Sequence, residues 1–340
     1  MANMNIGTPR FYPDHISYLL SRGIAQNGNF DVETGSNLIG IQNGSEPELF
    51  DMNPLNKVDF NTSAATSDHV LININTAGAF KKSFVAILNH NMDSADAKVR
   101  IKASDTESHV QAVDMGSATA MSNPAEVVNA DAISSSIVTP ASDGSTIVRF
   151  DESTLRYWGI QFEGDGSGTF DGSTDLHIGC ILIGEIYEMP HAPDMAITRS
   201  VAYDGVEVLE SAGGQRFANM SNPGKRVSST TLSPFATSIY TTSIHGGRIT
   251  YDMNFSFIDS TDLMPNEMHS ISTSDDAVVE DVWNKTNGPH IPFIFSIDKD
   301  SEGADAESEH IFARFTHNSL QMNQVAPNLF NVKMKIEEEF

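Results

Sequence analysis

Two short stretches hold residue types that could do chemistry. In "DKDSEGADAESE", Asp298, Asp300 and Glu302 stand at alternate positions, Gly303 follows, and Glu309 closes the run. This is the spacing of a calcium loop: carboxylates at positions one, three and five, a glycine for the sharp turn, and a last acid that binds with both oxygens. Hard oxygen ligands of this kind suit Ca²⁺, and no other cofactor is expected. Three features depart from the pattern. Position five is Glu instead of Asp or Asn, position eight is Asp305 instead of an apolar residue, and the flanks read as strands where helices belong. The competing reading is a solvated acidic hairpin.

The second stretch is Asn89-His90-Asn91, at the end of the apolar run "FVAIL". Such a cluster could ligate or move protons, but a nucleophile is missing. G-x-S-x-G is absent, and the single cysteine, Cys180 in "HIGCILIG", has no partner motif and reads as a small core hydrophobe. The eleven histidines form no H-E-x-x-H or Cys/His zinc spacing, and no phosphate loop appears. No catalytic residue is therefore expected, and the chain reads as non-enzymatic. Asn and His tolerate left-handed backbone and bond neighbouring backbone groups, so the cluster predicts a corner between two strands.

What would position these residues is a β framework. Runs such as "HVLININ", "SFVAIL", "KVRIKA", "STIVRF", "RITYDMNFSFI" and "HIFARF" are separated by Gly, Ser, Asn and Asp. Several alternate apolar and polar residues, as half-buried antiparallel strands do. Many short strands with turn-rich spacers predict a mainly β chain of sandwich or barrel type.

Two helices stand out. In "PDHISYLLSRG", Asp14 caps a helix with Ile16, Leu19 and Leu20 on one face and Gly23 as the stop. In "STSDDAVVEDVWNKTNG", Ser274 or Asp275 caps a helix carrying Val278, Val279, Val282 and Trp283, with Lys285 in the last turn and Gly288 at the end. Pro190 and Pro193 mark a boundary. The expected organisation is an arm with a short helix over residues 1–54, a sandwich over 55–192 and a β-rich assembly domain over 193–340. The Ala/Ser/Asn-rich stretch from Val113 to Pro140 reads as a long insertion or loop.

Charge narrows the partners. With 45 acidic and 20 basic residues the formal net charge is −25. Affinity for nucleic acid comes largely from Lys and Arg displacing counterions, so sequence-specific DNA or RNA binding is not expected. The surface would suit a lumen that DNA passes without sticking, or a salty medium. No apolar run reaches the ~18 residues of a membrane span, so no membrane insertion is expected. No secretory signal opens the chain.

"FVAILNHNMDSADAKVRIKAS" together with "LRYWGIQFEGDGSGTFDGSTDLHIGCILIGEIYE" resembles a module of bacteriophage tail and virion proteins. In that module a strand ending at an HN corner leads to an alternating strand, then to "RYW" and "IGEIYE" strands. The resemblance implies a galactose-binding-type jelly-roll β-sandwich. "VVEDVWNKTNG" ahead of "PHIPFIFSID", and the closing "NVKMKIEEEF", are similar to phage distal-tail (baseplate hub) proteins. Together these imply a jelly-roll sandwich plus a second β-rich domain, with Trp158 and Trp283 in the cores. The implied role is a structural component of the phage particle, made in the host cytoplasm, assembling with copies of itself into a symmetric ring at the tail beside other virion proteins. No sugar-contacting Arg/His/Asp set is identified. The alternative is a carbohydrate-binding module that contacts a host-surface glycan; it requires exposed aromatics over a groove. A depolymerase would need two carboxylates at a separation that sequence does not set.

Overall fold

The strand Lys82–His90 is apolar throughout its middle, Phe84 to Leu88, because it has a core on each side. In the computed structural model, which describes residues 6–23, 30–165, 168–203, 206–220, 225–227, 235, 244–266, 276–303 and 306–339, Lys82–His90 lies inside a four-stranded sheet. The order of that sheet is Cys180–Gly184, Lys82–His90, Gly144–Ser153, Ala125–Val128. Successive side chains of a strand point to opposite faces. Val85 and Ile87 therefore enter one core, while Phe84, Ala86 and Leu88 enter another.

The first core is closed by a seven-stranded antiparallel sheet. Its main path runs Ala130–Ile133, Ile137–Pro140, Ala97–Ser104, Tyr157–Gly164, Val70–Asn75, Phe30–Val32, with Thr119–Ala120 paired beside Ala97–Ser104. Trp158, Ile160 and Phe162 meet Val85, Ile87, Val148 and Ile183 in the space between the sheets. The chain crosses between the two sheets at almost every connection from residue 70 to residue 184, which makes this unit a jelly-roll-type β-sandwich.

A second β-rich unit is built on an eight-stranded sheet. The order is Tyr187–Glu188, Arg10–Pro13, Phe293–Ser296, His310–Phe315, Leu329–Glu338, Arg248–Asp259, Thr198–Ala202, with Met322–Ala326 paired beside Leu329–Glu338. Tyr12, Ile294 and Phe312 from one half of this sheet cover the outer face of the four-stranded sheet, which becomes a middle layer shared by both units. The opposite face packs Phe11, Phe293, Phe295, Met334 and Ile336 against the wide helical stretch Val278–Asn284. Mainly β with few short helices is thus the architecture found. Among the described residues no helix is long and apolar enough to cross a membrane.

The segment before residue 55 is divided between the units. Arg10–Pro13 is an interior strand of the eight-stranded sheet, while Phe30–Val32 joins the sandwich. Between them, the helix His15–Ser21 forms as its sequence predicts. Asp14 Oδ2 accepts from the Ser17 N–H at 2.7 Å, and Asp14 Oδ1 accepts from Ile183 N–H at 3.0 Å, so the cap also ties the helix to the middle sheet. For the second helix, Val278 and Val282 are buried as expected, but Ala277 holds the cap position; Ser274 and Asp275 lie outside the described residues.

One expectation is corrected. Residues 113–140 are no insertion: they supply four short strands, Thr119–Ala120, Ala125–Val128, Ala130–Ile133 and Ile137–Pro140, split between the two sandwich sheets. Their Ala and Ser content hides the pattern; Met121, Val127, Val128, Ala130 and Val138 are apolar residues that these strands and their links bury.

Candidate functional site

The Asn89-His90-Asn91 cluster forms the corner where the chain leaves the middle sheet for the seven-stranded one. Asn89 takes φ +53°, and its side-chain amide donates to the Pro54 carbonyl at 2.6 Å. His90 is buried; its Nε2 lies 2.9 Å from Thr146 Oγ1, and its Nδ1 accepts from Met92 N–H at 3.2 Å. Asn91 donates to the Asp175 carbonyl and accepts from His177 N–H. Burial, with His177 and Lys57 nearby, pushes His90 down to about 3, which keeps the ring neutral. Both ring nitrogens are engaged in holding the corner.

In the acidic loop, Asp298 and Glu309 lie near each other, and Glu302 is engaged elsewhere. Glu302 turns toward the body of the protein, where its carboxylate accepts from Arg10 and Arg149, each at 2.7 Å. Arg10 also pairs with Glu188 at 2.7 Å, so Glu302 joins the first strand, the middle sheet and the loop. These arginines hold the Glu302 carboxyl below the usual range against its burial. Asp298 is buried and lies against Gly7, where an added Cβ would collide with its carboxylate. Asp300 lies 3.3 Å from Lys299 and is largely exposed; Glu309 is buried and its carboxyl is raised by burial. Asp305 lies outside the described residues. Among the described residues no three His, Cys, Asp or Glu side chains converge as a metal-holding group. The sequence pattern shows carboxylates at a ligand spacing, but it gives no sign of the arginines that engage one of them.

Two cavities bear polar side chains. One, of about 320 Å³, lies between the helix His15–Ser21 and the second unit and is lined by Leu20, Phe50, Met52, Ile291 and Arg314. The Arg314 guanidinium is already held by the Pro289 and His290 carbonyls and by Glu339. The other, of about 140 Å³, opens at the end of the sandwich beside Phe150, Asp151, Glu152 and Trp158. There Asp151 accepts from Ser122 and Asn123, and Glu152 faces Lys81. Lys82 has some nucleophile-like character, since burial lowers it to about 7. It is fully buried, donates to the Leu155 carbonyl at 3.0 Å and lines neither cavity.

The feature that stands apart is apolar. From the edge strand Thr198–Ala202 the chain runs into a two-stranded ribbon, Val206–Glu210 paired with Arg216–Met220. Its turn is closed by Ser211 N–H to the Gln215 carbonyl at 2.8 Å, with Gly214 at φ +80°. Every ribbon side chain described is exposed. Leu209 faces Phe217 across the strands on one side, while Val206 and Val208 point to the other, so both faces carry apolar residues, beside Glu207 and the Glu210–Arg216 ion pair. Val208 and Leu209 are 57% exposed and Phe217 is 54% exposed. The sequence "VEVLE" alternates like an ordinary half-buried strand; what distinguishes it is that its side chains are exposed and no layer among the described residues covers it, which the sequence does not encode locally.

No family model matches this chain, and no curated protein matches it. Among solved structures it is similar to CBM32-1 from a family 31 glycoside hydrolase of Clostridium perfringens, at 14% identity and a TM-score of 0.29, covering 46% of this chain and 95% of that one. It is also similar to a truncated AlyQ with CBM32 and alginate lyase domains, at 12% identity and a TM-score of 0.27, covering 65% of this chain and 53% of that one. The fold assignment rests on the strand pairing described above.

Proposed function

We propose that this protein is a non-enzymatic structural component that assembles with copies of itself through the ribbon Val206–Met220. The observation that carries the reading is the exposure of apolar side chains on both faces of the ribbon, Val206 and Val208 on one and Leu209 and Phe217 on the other. An isolated two-stranded hairpin is marginally stable in water, and contiguous exposed apolar surface on a folded chain marks an interface. Covering the exposed parts of Val206, Val208, Leu209 and Phe217 would contribute roughly 1 kcal/mol each, half of a full burial. That sum is near the lower end of the ~4–15 kcal/mol that association costs, so one ribbon contact is weak alone and needs further surface or a closed arrangement. The adjoining edge strand Thr198–Ala202 has no strand on its outer side among the described residues, which supports the same face.

The setting we propose is a bacteriophage particle, most simply its tail. Its support is the resemblance of the strand signatures to virion proteins, together with an acidic surface that does not hold passing DNA. The glycan-binding alternative has less support. Its aromatic platform is missing from the sandwich cavity, where the stacked Phe150 and Trp158 rings are buried, whereas exposed Tyr203, Phe217 and Phe257 all belong to the second unit. The test is the mass of the purified full chain by native mass spectrometry and sedimentation across a concentration series. A defined oligomer, lost when Leu209 and Phe217 are changed to Ser, is the expected result. A monomer at high micromolar concentration would overturn the proposal.

A further inference from the structure

Residues 105–118 leave the end of the strand Ala97–Ser104, cross the outer face of the seven-stranded sheet and return at Thr119–Ala120. Of this crossing segment only Val110 and Met115 are buried. They pack with Leu71 over Gly159, where an added Cβ would collide with the Met115 sulfur. The backbone is strained at the second of these anchors, since Asp114 and Met115 follow one another at φ +68° and +44°. Left-handed backbone is uncommon outside glycine, and it is costlier for a residue as bulky as Met. Lys102 Nζ holds the same turn from the sheet, donating to the Asp114 and Met115 carbonyls at 3.2 and 3.0 Å.

The sheet face on this side is polar. Trp158, Ile160 and Phe162 enter the sandwich, so Gln161 points outward, as Asn73 and Glu33 do on the next two strands. Gln161 is fully buried, yet neither its amide nitrogen nor its oxygen has a hydrogen-bond partner among the described residues. Asn73 Oδ1, Glu33 Oε1 and His69 Nδ1 are in the same condition. Buried polar atoms normally find partners, and those that do not weaken the state that buries them. Gln111 of the crossing segment reaches the Glu33 carboxylate, as does Asn73.

We propose that residues 105–118 are a strap that lifts from the sandwich as a local unit, uncovering a polar strip of Gln161, Asn73 and Glu33 while the strands beneath stay paired. Two buried side chains and a few polar contacts hold the strap down. Backbone strain and the unpartnered atoms push against them. Lifting relaxes Asp114 and Met115 and wets the strip, and the apolar area it exposes is confined to Val110, Met115 and Leu71. Segments with few buried apolar contacts open at a fraction of the cost of global unfolding. The device is independent of the ribbon and of the assembly reading.

Thiol accessibility in the full chain tests this. Gln161→Cys puts a thiol under the strap, and Cys180, buried between the middle sheet and the second unit, is the internal control. Asn73→Cys repeats the measurement at a second position on the strip, and melting curves establish that each variant folds. With a thiol-reactive disulfide reagent in native buffer, the introduced thiol should react at least ~100-fold faster than Cys180. Its rate should barely change at low denaturant, whereas that of Cys180 should climb steeply, because only global unfolding exposes large surface. Adding Val110→Ala, which loosens one anchor, should speed labelling of the strip by roughly 10-fold. Equal rates and equal denaturant dependence for the two thiols would mean that the segment moves only when the whole chain unfolds, and would overturn the proposal. So would labelling as fast as a free thiol, or a rate that Val110→Ala leaves unchanged.

Discussion

The corner at Asn89–Asn91 and the ribbon at Val206–Met220 reverse the usual distribution of residue types. The corner is polar and mostly buried, and His90 has a partner at each ring nitrogen. The ribbon carries exposed apolar residues, and its Leu209 and Phe217 stand opposite each other across the strands. Buried polar groups normally find partners, so a satisfied buried histidine is evidence of architecture. Uncovered apolar area has no such local remedy. Residue type alone pointed toward the corner as the place for chemistry, whereas the unmet physical demand is at the ribbon.

If that contrast is right, changes to buried polar groups move stability and leave assembly alone, and changes to the ribbon do the reverse. The largest effect should come from acid. His15 and His90 are pushed down to about 3, and His177 and His310 to about 4, in each case chiefly by burial. Each folded-state value lies below the unfolded one, so the unfolded chain takes up protons first and stability falls as pH drops from ~6.5 toward 4. Up to four such groups give a slope approaching ~1.4 kcal/mol per pH unit for each. Thermal melts from pH 8 to pH 4 check this; an unchanged midpoint at pH 5 would break the account of the corner.

Next in size is Lys82→Met. The buried ammonium costs the folded state at and below pH 7, so its removal should stabilise the protein by on the order of 2–4 kcal/mol at pH 7. The sign follows from a folded value of about 7 against 10.5. The penalty is full below 7 and fades as pH rises toward 10.5, and so should the advantage of Met. Denaturant titrations at pH 7 and pH 10 would show whether the gap narrows. His90→Ala should lower stability by about 1–3 kcal/mol, since Thr146 and the Met92 N–H lose a buried partner; its sedimentation should match wild type. Smallest on this scale, Leu209→Ser with Phe217→Ser should shift stability by no more than ~0.5 kcal/mol, as exposed substitutions do. The same variant should abolish the oligomer. A large stability loss with assembly intact would invert the comparison.

Much of the framework was legible because strand signals are local. The alternation in "KVRIKA" and "RITYDMNFSFI", the Asp14 cap and the Asn-His-Asn corner each depend on neighbours along the chain, and each is found in place. What was not legible depends on distant partners. "RFYP" gives no sign that it pairs with Phe293–Ser296, and the doubly buried character of "FVAIL" needs two separate covering layers. The calcium-loop spacing is visible in sequence, but the Arg10 and Arg149 side chains that take hold of Glu302 come from far earlier in the chain. Phe257 reads as one more strand residue until a bulge turns it outward.

The position of Arg10–Pro13 has a consequence for biosynthesis. Its neighbour Phe293–Ser296 lies 280 residues later in the chain. At ~5–20 residues per second, a ribosome takes roughly 15–60 s to make that stretch. Throughout that interval Phe11 and Tyr12 have no finished core to enter, and the outer face of the middle sheet, with Phe84, Leu88 and Leu182, waits for its cover. The nascent chain is therefore exposed to aggregation for most of its synthesis, and a holding chaperone would act on its first strand and middle sheet until the last hundred residues emerge.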